Sequence, residues 1–407
     1  MDFPWKHWIP GALNKDQIRK LCEEGLVNVG RLREGALDES AIDLYLSDEG
    51  YEMRRGSVKP ASSHHYSWFL KRKELSRKLP KPRKGIYTLH AKTTYVFKLQ
   101  ERLERELGMA GFHGQATAKS SIGRVDVLAR LIVDGMDTYE CFDPAGLERS
   151  SGELYLEITP MTFSVRVKEG ISLSQLRFFY GNPEDVKITG KELLETVFPG
   201  TALPDGALRV DLTHENIGGL NVAAFCARQP TSRTLPIALW EARPEPDPSD
   251  YWTLVESDKD KRLEIQANNF YILRSKEKIA LPEGIAIYCR AIDETIGEMR
   301  IHYAGFVHPR FGTERSDKKD GTPLIFEVRG HQVNVSLADG ERMANLIFYR
   351  MSKDSPDAKD KSNDKKKKRK RKKKKNYEDQ TLQLSKFFKN WPDKLKRNSD
   401  DTVKAAK

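Results

Sequence analysis

Leu154-Tyr155-Leu156-Glu157-Ile158 and, 170 residues later, Leu324-Ile325-Phe326-Glu327-Val328 carry one pattern: β-forming apolar residues around a single carboxylate. The offset of 170 persists downstream, where Gly340 answers Gly170, Leu346 answers Leu176 and Phe348 answers Phe178. Upstream, Asp211 in R-V-D-L answers Asp43 in A-I-D-L at an offset of 168. A register that holds without gaps from one acid to the aromatic beyond it implies a duplicated unit, and the content of that unit is strand.

Working outward, Ser40–Leu46, Ile86–Leu89, Thr94–Leu99, Ser164–Val167 and Leu173–Phe179 also read as strands, separated by turn residues. Helices are few. Asn14 followed by Gln17 is a capping box ahead of Ile18, Leu21 and Cys22. Leu99–Leu107 suggests a helical insertion, Gly190–Phe198 a second helix, and Gly56–Lys84 a loop. The run Pro199–Gly206 is rich in turn residues and reads as a linker. The expected organisation is therefore mostly β: a first repeat over 9–198, a second over 199–352 and a tail over 353–407.

Composition narrows the function. The formal charge of +11 resides in the tail, where 353–407 holds 21 Lys/Arg against 9 Asp/Glu and the remainder holds 49 against 50. A near-neutral body argues against a protein-wide nucleic-acid footprint and still permits a local phosphate pocket. Four scattered cysteines without a C-x-x-C pair indicate neither a disulfide framework nor zinc. No run of 18 apolar residues and no signal core is present, so a cytoplasmic protein without membrane contact is expected. Lys365–Lys375 is an unbroken basic run that should repel itself into disorder and bind polyanions non-specifically. Beyond it, Leu384, Phe387, Phe388 and Trp391 have the spacing of a short amphipathic helix.

The chemistry points to Lys119-Ser120-Ser121-Ile122-Gly123-Arg124, a compact oxyanion-binding loop. Its copy reads Thr295-Ile296-Gly297-Glu298, and a carboxylate in place of the guanidinium would repel an anion. Likewise Asp143 becomes His308 and Gln175 becomes Asn345, so the first repeat is the better catalytic candidate. Glu157 is the expected partner of the loop, against a bland reading as a structural ion pair with Arg166. Ser120 and Ser121 as plain turn residues, and Asp143 as a turn opening before Pro144, are the matching bland readings. Glu327 reads as a vestige of the acid, a structural residue or part of a shared site.

Taken with F-D-P-A-G, S-G-E-L-Y-L-E-I, G-I-S-L-S-Q-L-R-F, G-E-M-R-I-H-Y-A-G-F and F-E-V-R-G-H, the loop makes the chain resemble the dCTP deaminase and dUTPase superfamily. It is most similar to the two-repeat bacterial dCTP deaminases, over about Ile9 to Met351. The resemblance implies tandem distorted β-barrels of the β-clip kind and hydrolytic deamination of dCTP to dUTP, feeding dUMP and dTTP synthesis. It implies Glu157 as general base, Ser120 and Arg124 as its catalytic supports, and Lys119, Ser121, Gly123, Asp143 and Gln175 as substrate- and phosphate-binding residues. Magnesium would ride on the triphosphate, no catalytic zinc is implied, and a homo-oligomer is expected. The H-x-E with P-C-x-x-C of zinc deaminases is missing from the sequence. The alternatives are a bifunctional deaminase and diphosphatase, a plain dUTPase, or a nucleotide-sensing or nucleic-acid-associated protein acting through its tail.

Overall fold

The computed structural model describes residues 4–61, 63–201, 204–291, 299–301, 305–313, 321–353, 381–397 and 403–405. Two curled sheets of ten strands each hold the chain. In the first, the order is 127–133, 153–160, 95–103, 42–53, 172–180, 112–118, 141–142, and strands 112–118 and 127–133 come together so that the sheet closes on itself. In the second, the path 270–279, 207–211, 342–350, 285–291, 306–307 repeats strands 95–103, 42–53, 172–180, 112–118, 141–142 of the first. A two-stranded flap is duplicated too, as Val165–Lys168 against Ile86–Leu89 and Arg262–Ile265 against Val335–Ala338. Alternating burial along these strands turns one face into each barrel, so the duplication seen in sequence is a duplication of topology.

The capping box forms as expected, with Asn14 accepting from the Gln17 amide at 3.0 Å ahead of the helix Lys15–Glu23. Three other expectations change. The 99–107 segment is no helical insertion: Tyr95–Leu103 is one strand, paired on both sides, followed by the single turn Glu106–Met109. Paired neighbours on both flanks outweigh the local helical preference of its Glu, Arg and Leu residues. The 56–84 stretch contains a helix, Tyr66–Leu70, and a strand, Ser76–Lys78, laid on the outside of the 42–53 strand. The boundary between repeats also falls earlier than 198. Lys187–Ile188 pairs with the 342–350 strand, and Val197 and Phe198 at the end of helix Lys191–Val197 sit in the second core, because their apolar side faces that barrel.

One core cluster takes residues from both repeats. Ile237–Ala238 of the second pairs parallel to Val165–Arg166 of the first, and Phe163 meets Tyr251 and Trp252 edge-on at 5.4 and 5.9 Å. At a second seam Arg177 is fully buried, donating to the Ile287 carbonyl at 3.0 Å and to Ser40 Oγ at 3.2 Å. Its guanidinium lies 3.9 Å from the Phe306 ring centre. Burial pulls this guanidinium down to about 9, so it stays charged at neutral pH. Among the described residues no helix is long and apolar enough to cross a membrane. R177A should lower the unfolding free energy by about 3 kcal/mol, through a cavity and an orphaned Ile287 carbonyl, as read by chemical denaturation.

Candidate active site

The loop Lys119–Arg124 leaves the 112–118 strand through the single turn Ser120–Gly123. Lys119 N donates to the Leu173 carbonyl at 2.9 Å, which anchors the loop to the neighbouring strand. The Lys119 ammonium is held 2.6 Å from Asp43 Oδ2, and Gln175 stands directly across from Asp43 on one side and Thr117 on the other. The structure thus gathers Lys119, Gln175 and the paired acid Asp43 at one mouth, with Ser120 exposed beside them. Ile122, Gly123 and Arg124 turn inward.

The inward end meets the second repeat. Asp126 is fully buried, with its backbone in the left-handed region at φ 57°. It receives Arg329 Nη2 and the Thr162 hydroxyl, and Arg329 in turn donates to Thr162 Oγ1 at 2.7 Å and to the Asn268 carbonyl at 2.7 Å. Burial pushes the Asp126 carboxyl above the usual range, and the Arg329 charge works against that push. Two residues earlier on the strand Thr322–Gly330, Glu327 points to the same side as Arg329. Glu327 is buried and accepts no hydrogen bond from a described residue. Desolvation pushes it up to about 8, while the nearby Arg124 guanidinium pulls it down and Asp126 raises it further. Arg124-Val125-Asp126 therefore lies against Glu327-Val328-Arg329 with charges complementary at both positions.

Glu157 is placed elsewhere. It sits across from Arg130 on the 127–133 strand, three residues, or about 10 Å, beyond the point where the strand emerges from the loop. Its carboxylate accepts from Arg130 Nε at 3.1 Å and from Arg130 Nη2, from Ser57 Oγ at 3.1 Å and from Tyr139 OH at 3.1 Å. Arg130 also stacks 4.1 Å from the Tyr139 ring centre. Within this chain Glu157 is engaged by Arg130 across the strand and by Ser57 and Tyr139 from irregular segments, rather than by Ser120 and Arg124. The expected ion pair with Arg166 is not formed either: Arg130 takes that place. Asp143 is exposed and caps the turn Pro144–Glu148, accepting from Gly146 N at 2.8 Å, which is the bland reading of F-D-P. Thr295–Glu298 lies outside the described residues.

Sequence reading missed Arg130, Tyr139, Ser57, Asp126 and Arg329. Arg130 meets Glu157 through strand pairing, and Ser57 and Tyr139 reach it from irregular segments that only the tertiary fold brings near. Asp126 and Arg329 carry a readable signal, since R-V-D and E-V-R are reciprocal two-residue charge patterns.

Two family models cover most of the chain. The N-terminal domain of 2′-deoxycytidine 5′-triphosphate deaminase matches residues 9–182, and the C-terminal domain of the same family matches 189–388. The chain belongs to the dCTP deaminase family. A crystal structure of 2′-deoxycytidine 5′-triphosphate deaminase from Agrobacterium tumefaciens matches with a TM-score of 0.74 and 27% identity, over 85% of this chain and 99% of that one. A comparison with curated proteins finds no match. Membership makes the chain an enzyme with the mostly β, dUTPase-like architecture of that family.

Glu327 makes stability depend on pH with a definite sign. Its folded-state value of about 8 lies above the ordinary 4.5, so between those values the unfolded chain ionises while the folded chain holds its proton, and stability falls as pH rises. E327Q removes this penalty. Its melting temperature should gain on that of the parent from pH 5 to pH 8, and a constant difference across that range would contradict the burial of an unpaired carboxyl.

Proposed function

We propose that the chain hydrolyses dCTP to dUTP and ammonia at a site formed where the Lys119–Arg124 loop of the first repeat meets Glu327 of the second. The observation that carries this reading is the nearness of the buried Arg124 of the loop to a buried carboxyl that has no hydrogen bond from a described residue. Unpaired buried carboxyls are costly and concentrate where proton transfer is needed. A group held near 8 can take and return a proton close to neutral pH.

In this reading the ionised Glu327 accepts a proton from water as the water oxygen bonds to C4 of cytosine. The carboxyl then delivers that proton to N3. The remaining hydroxyl proton passes by the same carboxylate to the amine, the C4–N bond breaks, and ammonia leaves as the C4 carbonyl forms. Arg124 opposes the negative charge that collects on the water oxygen during attack. At the outer mouth Lys119, Ser120, Ser121 and the backbone around Gly123 receive the phosphates, with Gln175 beside them and Asp43 fixing the lysine. Magnesium rides on the triphosphate. Among the described residues no group of three or more His, Cys, Asp or Glu side chains is placed to hold a metal.

Glu157 takes a supporting role in this assignment: with Arg130 and Tyr139 it stiffens the paired strands 127–133 and 153–160, the first of which follows the loop. Asp143 has its carboxylate engaged in capping, so no observation favours phosphate hydrolysis, and dUTP is the expected product.

Two substitutions separate the acids. E327Q should cut ammonia release by roughly a hundredfold or more with dCTP binding kept, the usual scale for a lost general base. E157Q should leave most of the turnover and instead lower the melting temperature, because Arg130 loses its counter-charge. The reverse outcome would move the chemistry to Glu157. Product analysis by ion-exchange chromatography should show dUTP with no pyrophosphate.

A further inference from the structure

The C-terminal segment docks on the body through its apolar residues, but not as the amphipathic helix that their spacing suggests. Residues 381–397 form an irregular strap docked on the body, and the basic run before it lies outside the described residues. Leu382, Leu384, Phe387 and Phe388 are buried in the main core, since the chain is drawn across a surface built by both repeats. Phe388 meets Tyr251 and Trp252 edge-on at 5.3 and 6.1 Å, and Trp391 lies 5.8 Å from Phe225. Three backbone bonds pin it at intervals: Leu382 N to Glu215 Oε2 at 3.2 Å, Lys389 N to the Pro246 carbonyl at 3.0 Å, and Leu395 N to the Gly218 carbonyl at 2.8 Å. At Gly218, with φ 61°, a Cβ would stand 2.5 Å from the Leu395 side chain.

One contact reaches the site loop. Ser385, itself buried, donates from Oγ to the Ser121 carbonyl at 2.7 Å. Within the loop, Ile122 N uses the Lys119 carbonyl, Arg124 N the Ser120 carbonyl, Val125 N the Ile122 carbonyl and Asp126 N the Gly123 carbonyl. The Ser121 carbonyl is passed over by this ladder. Its partner comes from 264 residues away. A loop that turns a charge into a buried interface cannot leave a carbonyl unmatched without loss of order.

We infer that the C-terminal strap completes the catalytic loop, and that Ser385 is a positioning residue for deamination: by holding the Ser121 carbonyl it fixes the turn that presents Ser120 to substrate and Arg124 to Glu327. This rests on the placement of the site proposed above. It also explains why a polar tail ends in a buried apolar segment.

The test uses the full-length enzyme and two variants. S385A should lower kcat several-fold with little change in KM or melting temperature, and should speed amide hydrogen exchange at Arg124, Val125 and Asp126. G218V, which strains the far end of the strap at Leu395, should lower the melting temperature while leaving kcat near the parent value at 25 °C. If S385A is folded and neither kcat nor the loop amides change, the inference is overturned. If both variants lose stability and kcat in proportion, the strap is only structural and the inference fails. Faster exchange with unchanged kinetics would support the contact and overturn the placement of the site in this loop.

Discussion

The buried charge crossing between the repeats is the constraint from which the rest follows. Arg124-Val125-Asp126 of the first repeat faces Glu327-Val328-Arg329 of the second, and only the Asp126–Arg329 arm closes into a direct ion pair. Taking such polar and charged groups out of water is expensive, and the crossing adds little net stability compared with apolar packing. What it supplies is register, because a slip of one residue would set apolar Val125 or Val328 against a charge. The shared interior around Phe163, Tyr251 and Trp252 provides the affinity, and the crossing selects one docking.

Within that docking the two arms differ in a way that matters for chemistry. Thr162 and Arg329 both donate to Asp126, and the Asn268 carbonyl holds Arg329 in place. Arg124 and Glu327 are near enough to shift the carboxyl but share no ion pair, so Glu327 remains available for proton exchange. Glu157, the same position in the first repeat, is bound by three side chains. In the proposed site the first repeat supplies the loop and the second supplies the acid. Threonine stands at 159, where the second repeat has Arg329.

The strap extends the same logic. The apolar content of Leu384, Phe387, Phe388 and Trp391 foretells docking, and their helical spacing foretells the wrong conformation. Anchors at Glu215, Pro246 and Gly218 of the second repeat and at Ser121 of the first stretch the segment across both, and tertiary hydrogen bonds replace those a helix would have made internally.

The mostly β architecture, the duplication and the family were legible in the residue order alone, because strand alternation, a constant offset and ordered motifs are local or periodic signals. The turn at Ser120–Gly123 and the capping at Asn14 were legible for that reason. Tertiary structure alone decided which carboxyl meets the loop. Glu157 and Glu327 are indistinguishable in their strands, and their difference lies in neighbours 27 and 203 positions away in contact pairs such as Arg130–Glu157 and Asp126–Arg329. Cross-strand pairing satisfies the first acid, and repeat-to-repeat docking brings the second to Arg124. Residue order along the chain does not encode either distance.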